Sequence, residues 1–442
     1  MPARRRLILD EVASAAFGEA AGEAALVNRK CELSPYTAVS VQPSKVDGTI
    51  IAYASPDSTW VVARRLIRDA KKSILVGTYD FTATYVADLL AAAVGRGVAV
   101  ELMLDLDGRS GELPVFDTLA AAGVKTHPAP ACGPGHNHVF PSCHEKVTVI
   151  DGEWTFVQSG NYTEASIPPN DPDPGSGIKH VPGNRDMGLA IRSKPLARFF
   201  TKLLKADIKR ATKGFVPEGL VDVFEPETVM FDAAPTAVPA FVPDKTFTTA
   251  AGQKVQAVVS PDNYMAVAEP LLRGATTSID IEQQYIRPTQ PEVGRLLAAI
   301  DAARTANPAL SVRIIVAAAH GRDDAVRLRK ELDLLEMDHG LAFGPNVRIL
   351  NKKFFVHCHN KLIVVDGERV LVGSQNWSDF GVSKNREAGI LVAHKGIADY
   401  FTGLVDFDWE TGVKELAAPK PPKPDELAPA AIRVRYGDYA DV

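Results

Sequence analysis

Two histidines occur within the same short pattern of chemically active residues. The segments HEKVTVIDG at 144–152 and HNKLIVVDG at 359–367 both read His-x-Lys-x-x-x-x-Asp. One such match is a weak signal, but two matches in a chain with only 10 His are a strong one. Two imidazoles can cleave a phosphodiester without a metal, because one attacks phosphorus while the other protonates the departing alkoxide. His144 and His359 are therefore the candidate catalytic pair.

Polar residues that could hold a phosphate follow each histidine at equal spacing. A serine and an asparagine recur at matched offsets, namely Ser159 and Asn161 in the first copy and Ser374 and Asn376 in the second. Asparagine amides can donate to the non-bridging phosphate oxygens, and Lys146 and Lys361 can add fixed positive charge there. Each lysine stands two residues after its histidine, so on a strand both side chains point to one face. We expect both pairs to face the phosphate.

Acidic residues complete the two patterns. Each catalytic imidazole needs an acceptor that fixes its tautomer and orientation. Glu387 and Asp186 occupy matched places and are the candidates, with a surface Arg386–Glu387 ion pair as the alternative for Glu387. Asp151 and Asp366 are each followed by glycine, which favours a turn. For these two residues we expect a structural role in capping a turn rather than one in catalysis.

The elements that must position these residues are themselves repeated. Six blocks recur in the same order, including Ser55-Pro56-Asp57 with Ser260-Pro261-Asp262 and NRDMGLAI at 184–191 with NREAGILV at 385–392. Within each copy, short β-branched or apolar runs alternate with segments that have apolar residues at helical spacing. This alternation predicts an α/β architecture in two copies.

The repeat and the composition along the chain give a division into five parts. We predict an N-terminal helical extension at 1–47, a first repeat at 48–213, a linker at 214–252, a second repeat at 253–412 and a Pro/Lys-rich tail at 413–442. The linker and the tail are dense in proline.

The bulk composition is that of an ordinary globular protein. The chain has 442 residues, of which 46% are hydrophobic and 23% charged, with a net charge of −5. An acidic balance argues against a body-wide phosphate-binding surface, although a basic cleft remains compatible with it. The N-terminal segment lacks a continuous apolar stretch, and no window has 18 apolar residues. We therefore expect a cytoplasmic protein, with export by another route left open.

The four cysteines carry an expectation about redox state. Without an export signal, Cys31, Cys132, Cys143 and Cys358 are expected to be free thiols. A disulfide between Cys132 and Cys143 is the alternative if the protein is exported. Neither arrangement predicts a metal site.

Together, these residues resemble the phospholipase D superfamily, whose signature is the His-Lys-Asp motif followed by Gly-Ser-x-Asn. VGSQNWS at 372–378 fits well, whereas Gln158 stands where the first copy would have glycine. The resemblance covers roughly 50–410 and implies a duplicated fold of two sandwiched mixed-sheet lobes related by a pseudo-twofold axis. It also implies a covalent phosphohistidine and no metal or cofactor, with His144 as nucleophile and His359 as acid.

The substrate class is less sharply indicated. IDIEQQYI at 279–286 is similar to larger phospholipases of the superfamily, whereas 78–100 is more similar to its compact nucleases. The acidic net charge favours a phospholipid, with nucleic acid as the alternative partner. A phosphate-binding scaffold without turnover is a third hypothesis. We also expect peripheral membrane contact to be compatible with the function, and a monomer, because a duplicated chain forms its pseudo-dimer internally.

Overall fold

The computed structural model describes residues 29–46, 48–106, 112–133, 135–171, 180–212, 220–223, 235–250 and 252–415. Most of the predicted N-terminal extension and of the predicted tail lies outside these residues. The described part of the extension has two short strands, β1 (Arg29–Glu32) and β2 (Ser44–Lys45), so the helical prediction is wrong for that part. β1 pairs with β10 (Leu220–Val223), a strand within the predicted linker.

The first repeat forms a mixed sheet of eight strands. In spatial order these are β11 (Lys245–Thr248), β3 (Thr49–Ser55), β9 (Asp186–Arg192), β8 (Trp154–Gln158), β7 (Val147–Ile150), β4 (Ser73–Thr78), β5 (Ala99–Leu104) and β6 (Lys125–Pro128). β4, β5 and β6 are mutually parallel, and the other neighbours are antiparallel.

The second repeat forms a sheet of the same design. Its strands are β15 (Val347–Ile349), β14 (Ser311–Val316), β13 (Ser278–Gln283), β16 (Lys361–Val365), β17 (Arg369–Gly373), β18 (Glu387–Ala393), β12 (Lys254–Ser260) and β2. This order starts from the opposite edge, so β15 corresponds to β6 and β2 corresponds to β11. Each strand has a counterpart in the first sheet, with the same parallel and antiparallel neighbours. The predicted fold class, a duplicated α/β fold with mixed sheets, is confirmed.

Helices flank both sheets, and the last long helix of each repeat packs into the core that the two sheets share. The first repeat has α1 (Thr59–Asp69), α2 (Thr84–Gly95), α3 (Leu113–Ala121) and α4 (Lys194–Ala211); the second has α5 (Tyr264–Arg273), α6 (Pro291–Ala306), α7 (Gly321–His339), α8 (Asp379–Ser383) and α9 (Lys395–Thr411). In α1, Val62, Leu66 and Ile67 recur at helical spacing and are buried against the sheet. None of the described helices has the length and apolar character needed to cross a bilayer.

The inner faces of the two sheets share one hydrophobic core. Val157 and Leu189 of the first sheet belong to the same buried cluster as Val372 and Ile390 of the second. Burial of these apolar faces against each other stabilises the pair of sheets. The strands that carry the motifs are therefore held at a common interface.

The segments that precede each repeat cross between the sheets. β2 leads into the first repeat but pairs with β12 of the second, and β11 leads into the second repeat but pairs with β3 of the first. Each edge strand thus covers the sheet of the other copy. The predicted linker consequently contains a strand of the first sheet.

The cysteines differ from both expectations. Cys31 and Cys132 form a disulfide across 101 residues, whereas Cys143 and Cys358 are free and buried. The prediction of four free thiols is wrong, and so is the alternative Cys132–Cys143 bridge. Burial raises the pKa of the Cys143 and Cys358 thiols, which suits a packing role rather than a reactive one.

Candidate active site

Each of the two histidine segments lies beside a segment of the other repeat. The backbone N–H of His144 donates to the carbonyl oxygen of Arg386 (2.7 Å), and the N–H of Arg386 donates to the oxygen of Ser142 (2.9 Å). In the other half, the N–H of His359 donates to the oxygen of Arg185 at 3.1 Å. Each histidine is therefore attached, by its backbone, to the segment of the other copy that precedes β9 or β18.

The carboxylates that orient the imidazoles also come from the opposite copy. Nδ1 of His144 lies 2.7 Å from Oε2 of Glu387, and Nδ1 of His359 lies 2.8 Å from Oδ1 of Asp186. All four side chains are buried, so Glu387 does not form the alternative surface pair with Arg386. A carboxylate only accepts here, so each Nδ1 carries the proton that it donates.

Both serines of the motifs bind these carboxylates. The hydroxyl of Ser374 donates to Oε2 of Glu387 (2.6 Å), and that of Ser159 donates to Oδ1 of Asp186 (2.8 Å). Burial alone would raise the pKa of Asp186, but the neighbouring His359 outweighs it and lowers the pKa below its ordinary value. Asp186 is thus held as a carboxylate.

The motif lysines lie directly beside the histidines. Nζ of Lys361 donates to the carbonyl oxygen of His359 (2.7 Å) and lies 3.1 Å from its Nε2. Nζ of Lys146 donates to the carbonyl oxygen of His144 (2.8 Å) and stands 5.3 Å above the ring of Tyr79. Both lysines are buried, where a positive charge interacts more strongly with neighbouring groups than it would in water.

A cavity between the repeats is lined by residues of both motifs. It is lined by Tyr79 and His144 from the first repeat and by Tyr285, Asn376 and Glu387 from the second, whereas His359 and the two motif lysines are not among its lining residues. Asn161, the counterpart of Asn376, is also buried. The structure thus brings motif residues of both copies to one opening.

Comparison with known proteins agrees with this arrangement. A family model described as "Cardiolipin synthase, PLD-like domain" matches residues 63–208 and 269–409. The chain belongs to the phospholipase D-like family. No curated protein matches the chain in sequence.

Solved structures with a similar fold include both long and short chains. Phosphatidylserine synthase from Haemophilus influenzae Rd KW20 is 12% identical, with a TM-score of 0.57, and the match covers 85% of this chain and 91% of that one. Nuc from Salmonella typhimurium, a phospholipase D family member, is 22% identical, with a TM-score of 0.31, and the match covers 40% of this chain and 100% of that one. The likeness to the synthase supports the two-lobed phospholipase D-like fold.

The motif aspartates of this phospholipase D-like protein lie away from the cavity, at the far ends of β7 and β16. Asp151 and Asp366 have φ of 56° and 57°, in the left-handed region. Asp151 accepts from the backbone N–H groups of 71–73, and Asp366 accepts from those of 276–278. Burial would raise the pKa of Asp366, but these donors outweigh it and lower the pKa to about 2. Both positions fit the expected structural role.

The departure at Gln158 has a physical explanation. In the second copy, a Cβ on Gly373 would overlap Oε1 of Gln375, so the glutamine amide fills the space above the glycine. In the first copy the two residue types are exchanged, and Nε2 of Gln158 donates to the carbonyl oxygen of Gly160 at 2.7 Å. The reversed order, Gln-Ser-Gly against Gly-Ser-Gln, was visible in the sequence.

Two buried arginines are functional candidates that the sequence reasoning missed. Arg386 pairs with Asp207 of α4 (2.9 Å) and with Asp262 (2.5 Å). Arg185 pairs in the same way with Asp408 of α9 at 2.7 Å. These reciprocal contacts are what a twofold relation between the copies requires. The repeated Asn-Arg and Ser-Pro-Asp blocks were the sequence signal that could have identified them.

Proposed function

We propose that this protein is a phosphodiesterase that hydrolyses a phospholipid, or transfers its phosphatidyl group to an alcohol, through a covalent phosphohistidine. The observation that carries the proposal is the crossed pairing of His144 with Glu387 and of His359 with Asp186. It gives two imidazoles at the junction of the two repeats, each oriented at Nδ1 by a carboxylate of the other repeat. A scaffold that only binds phosphate would not need either orienting carboxylate.

In the first step, Nε2 of one neutral histidine attacks phosphorus in line with the departing oxygen. An N–P bond forms as the P–O bond breaks, and the second, protonated histidine delivers its proton to the alkoxide. The carboxylate at Nδ1 of the attacking ring stabilises the positive charge that develops on it. The second histidine, now neutral, takes a proton from water or an alcohol, which then displaces the first histidine from phosphorus.

The buried lysines and asparagines would act on the charge of the transition state. Lys146 and Lys361 are fixed beside the imidazoles by bonds to the histidine carbonyl oxygens, so they need no rearrangement during the reaction. Asn161 and Asn376 supply amide donors to the non-bridging oxygens of the phosphate. Preorganised charge of this kind accounts for a large share of catalysis in buried sites.

A phospholipid is favoured over nucleic acid by the surroundings of the cavity. The rings of Tyr79 and Tyr285 lie in the lining of the cavity, which suits a phospholipid headgroup. The net charge of −5 does not favour a polyanion. The fold likeness to a phosphatidylserine synthase is in accord with this substrate class.

The direct test is hydrolysis of bis(p-nitrophenyl) phosphate in the presence of EDTA, with the His144→Ala/His359→Ala double variant as control. We expect p-nitrophenol release from the wild type and none from the variant. Parallel incubations with phosphatidylcholine vesicles and single-stranded DNA then separate the substrates, since choline release supports the phospholipid. Shortened DNA without choline release would refute it, and no turnover of any substrate would refute the enzyme.

A further inference from the structure

One segment of the chain reaches from the first repeat to the second beside the candidate site. We call residues 29–46 the strap. Cys31 bonds it to Cys132 of the first repeat, and β2 at its other end joins the second sheet. Between these anchors, the N–H of Ser34 donates to the oxygen of His138 at 2.7 Å. The strap is therefore fixed at both ends.

Tyr36 lies in the middle of the strap and contacts a buried ion pair. Its hydroxyl donates to Oδ1 of Asp262 (2.7 Å) and accepts from Nη2 of Arg386 (2.8 Å). Its ring packs edge-on against Phe140, with centroids 4.8 Å apart. Burial raises the pKa of Tyr36 to about 12, so the phenol keeps the proton that it donates. The hydroxyl completes the hydrogen bonding of the Arg386–Asp262 pair.

Arg386 links this cluster to His144 in two ways. Its carbonyl oxygen accepts the backbone N–H of His144 at 2.7 Å. The next residue, Glu387, binds Nδ1 of the same histidine. A shift of Arg386 would therefore move both the backbone and the ring partner of His144.

The matched arginine on the other side has the same kinds of partners as Arg386, apart from the tyrosine hydroxyl. The guanidinium of Arg185 bonds to Asp408, Asp57 and the carbonyl oxygen of Ser55, and its Cζ lies 4.1 Å from the ring centroid of Phe355. Among the described contacts, the strap reaches Arg386 but not Arg185. The chain thus has an internal control, because the strap supports the His144 side and not the His359 side.

We infer that Tyr36 is a positioning residue for His144, and that the Cys31–Cys132 disulfide holds it in place and so makes the activity sensitive to thiol reductants. The inference rests on the proposed function. A dithiol supplies two electrons and two protons, so the S–S bond breaks, two thiols form and the dithiol closes to its own disulfide. The freed end of the strap then loosens the contact of Tyr36 with Arg386.

The first experiment compares Tyr36→Phe with the wild type on bis(p-nitrophenyl) phosphate. We expect kcat to fall by about tenfold with KM within about twofold, since the ring packing remains and only the alignment of His144 changes. Tyr85→Phe is the matched control, because it also removes a tyrosine hydroxyl, but one that bonds to a backbone oxygen (Ile167, 2.6 Å) and not to the arginine cluster. A wild-type rate for Tyr36→Phe would overturn the inference.

The second experiment tests the disulfide. Dithiothreitol should lower kcat of the wild type to the value of Cys31→Ser, and Cys31→Ser should not respond further. Because Cys31, Cys132 and His138 could together hold a metal ion if the thiols were free, EDTA is added in a parallel arm. Loss of activity with EDTA but not with dithiothreitol would contradict the tether.

A readout that needs no catalysis separates this inference from the proposed function. In ¹⁵N NMR of the histidine side chains, the Nδ1 and Nε2 signals of His144 should shift in Tyr36→Phe, while those of His359 should not. A protein that turns over no phosphodiester yet shows this selective shift would refute the function and support the positioning role. Unchanged His144 signals would refute the positioning role.

Discussion

At the scale of residues, the site depends on side chains that approach one another from opposite repeats. Sequence spacing predicted the histidines, lysines and asparagines, because each occurs twice at a matched offset. It predicted the carboxylates from the repeated blocks that contain them, since a longer loop separates Asp186 from His144. It could not predict that Glu387 binds His144 and Asp186 binds His359. In a duplicated chain, contacts within a copy and between copies leave the same pattern, so only the structure separates them.

Lys361→Ala should lower kcat by roughly 10²–10³-fold, as removal of a preorganised charge does in other enzymes. Steady-state kinetics with bis(p-nitrophenyl) phosphate measure the effect, and Lys353→Ala, which changes a lysine outside the motifs, is the control. A rise in KM at constant kcat would mean that Lys361 binds the ground state only.

Gly160→Ala should lower kcat while the protein remains folded. A Cβ at this position would come within 2.9 Å of Oδ2 of Asp186, the carboxylate that orients His359. We expect kcat to fall by about tenfold, because misplacement of a catalytic group by a fraction of an ångström is costly. Gly403→Ala is the control, since its Cβ would meet open space. Equal kcat in both variants would contradict this role for Asp186.

At the scale of elements, the turns after β7 and β16 anchor the strands that carry the motifs. The Asp-Gly pattern was enough to predict their structural role. Their partners, the backbone N–H groups that precede β4 and β13, could not be predicted, because they lie about 80 to 90 residues away. The disulfide was missed for a similar reason, since its cysteines are 101 residues apart. A disulfide is typical of proteins from oxidising compartments and does not favour the cytoplasmic expectation. That expectation stays a prediction.

Asp366→Asn should lower Tm by about 1–2 °C at neutral pH while the activity per folded molecule is kept. The pKa of Asp366 is depressed from 3.8 to about 2, so its stabilisation is present above pH 3.8 and is lost as the pH falls toward 2. The difference in Tm between wild type and variant should therefore shrink below pH 4. Thermal unfolding from pH 7 to pH 3 measures it, and a difference that grows as the pH falls would contradict this origin.

At the scale of the whole molecule, the two repeats form one unit. The core is continuous between the sheets, the edge strands are exchanged, and each buried arginine pairs with an aspartate of the other copy. The duplication was predictable from six matched blocks. The exchange of β2 and β11 was not predictable, because the sequence of neither strand indicates which strand it pairs with. A monomer stays a prediction.

Asp408→Asn should destabilise both repeats together, since it leaves the buried charge of Arg185 with a weaker partner. Breaking a buried ion pair typically costs about 3–5 kcal/mol. Calorimetry should show one cooperative transition in the wild type and one transition at a lower temperature in the variant. Two separate transitions, with only one of them shifted, would contradict a shared core.

In the proposed mechanism, histidines from both repeats act on one phosphorus, one as nucleophile and the other as proton donor. The most direct measurement is mass spectrometry of His144→Ala and His359→Ala after reaction with bis(p-nitrophenyl) phosphate, with the reactions stopped without acid. Because p-nitrophenolate departs without being protonated, the variant that retains the nucleophile should accumulate a phosphoryl adduct on its remaining histidine. The other variant should form none, and neither should turn over. Near-wild-type turnover by either variant, or adducts in neither, would contradict the account.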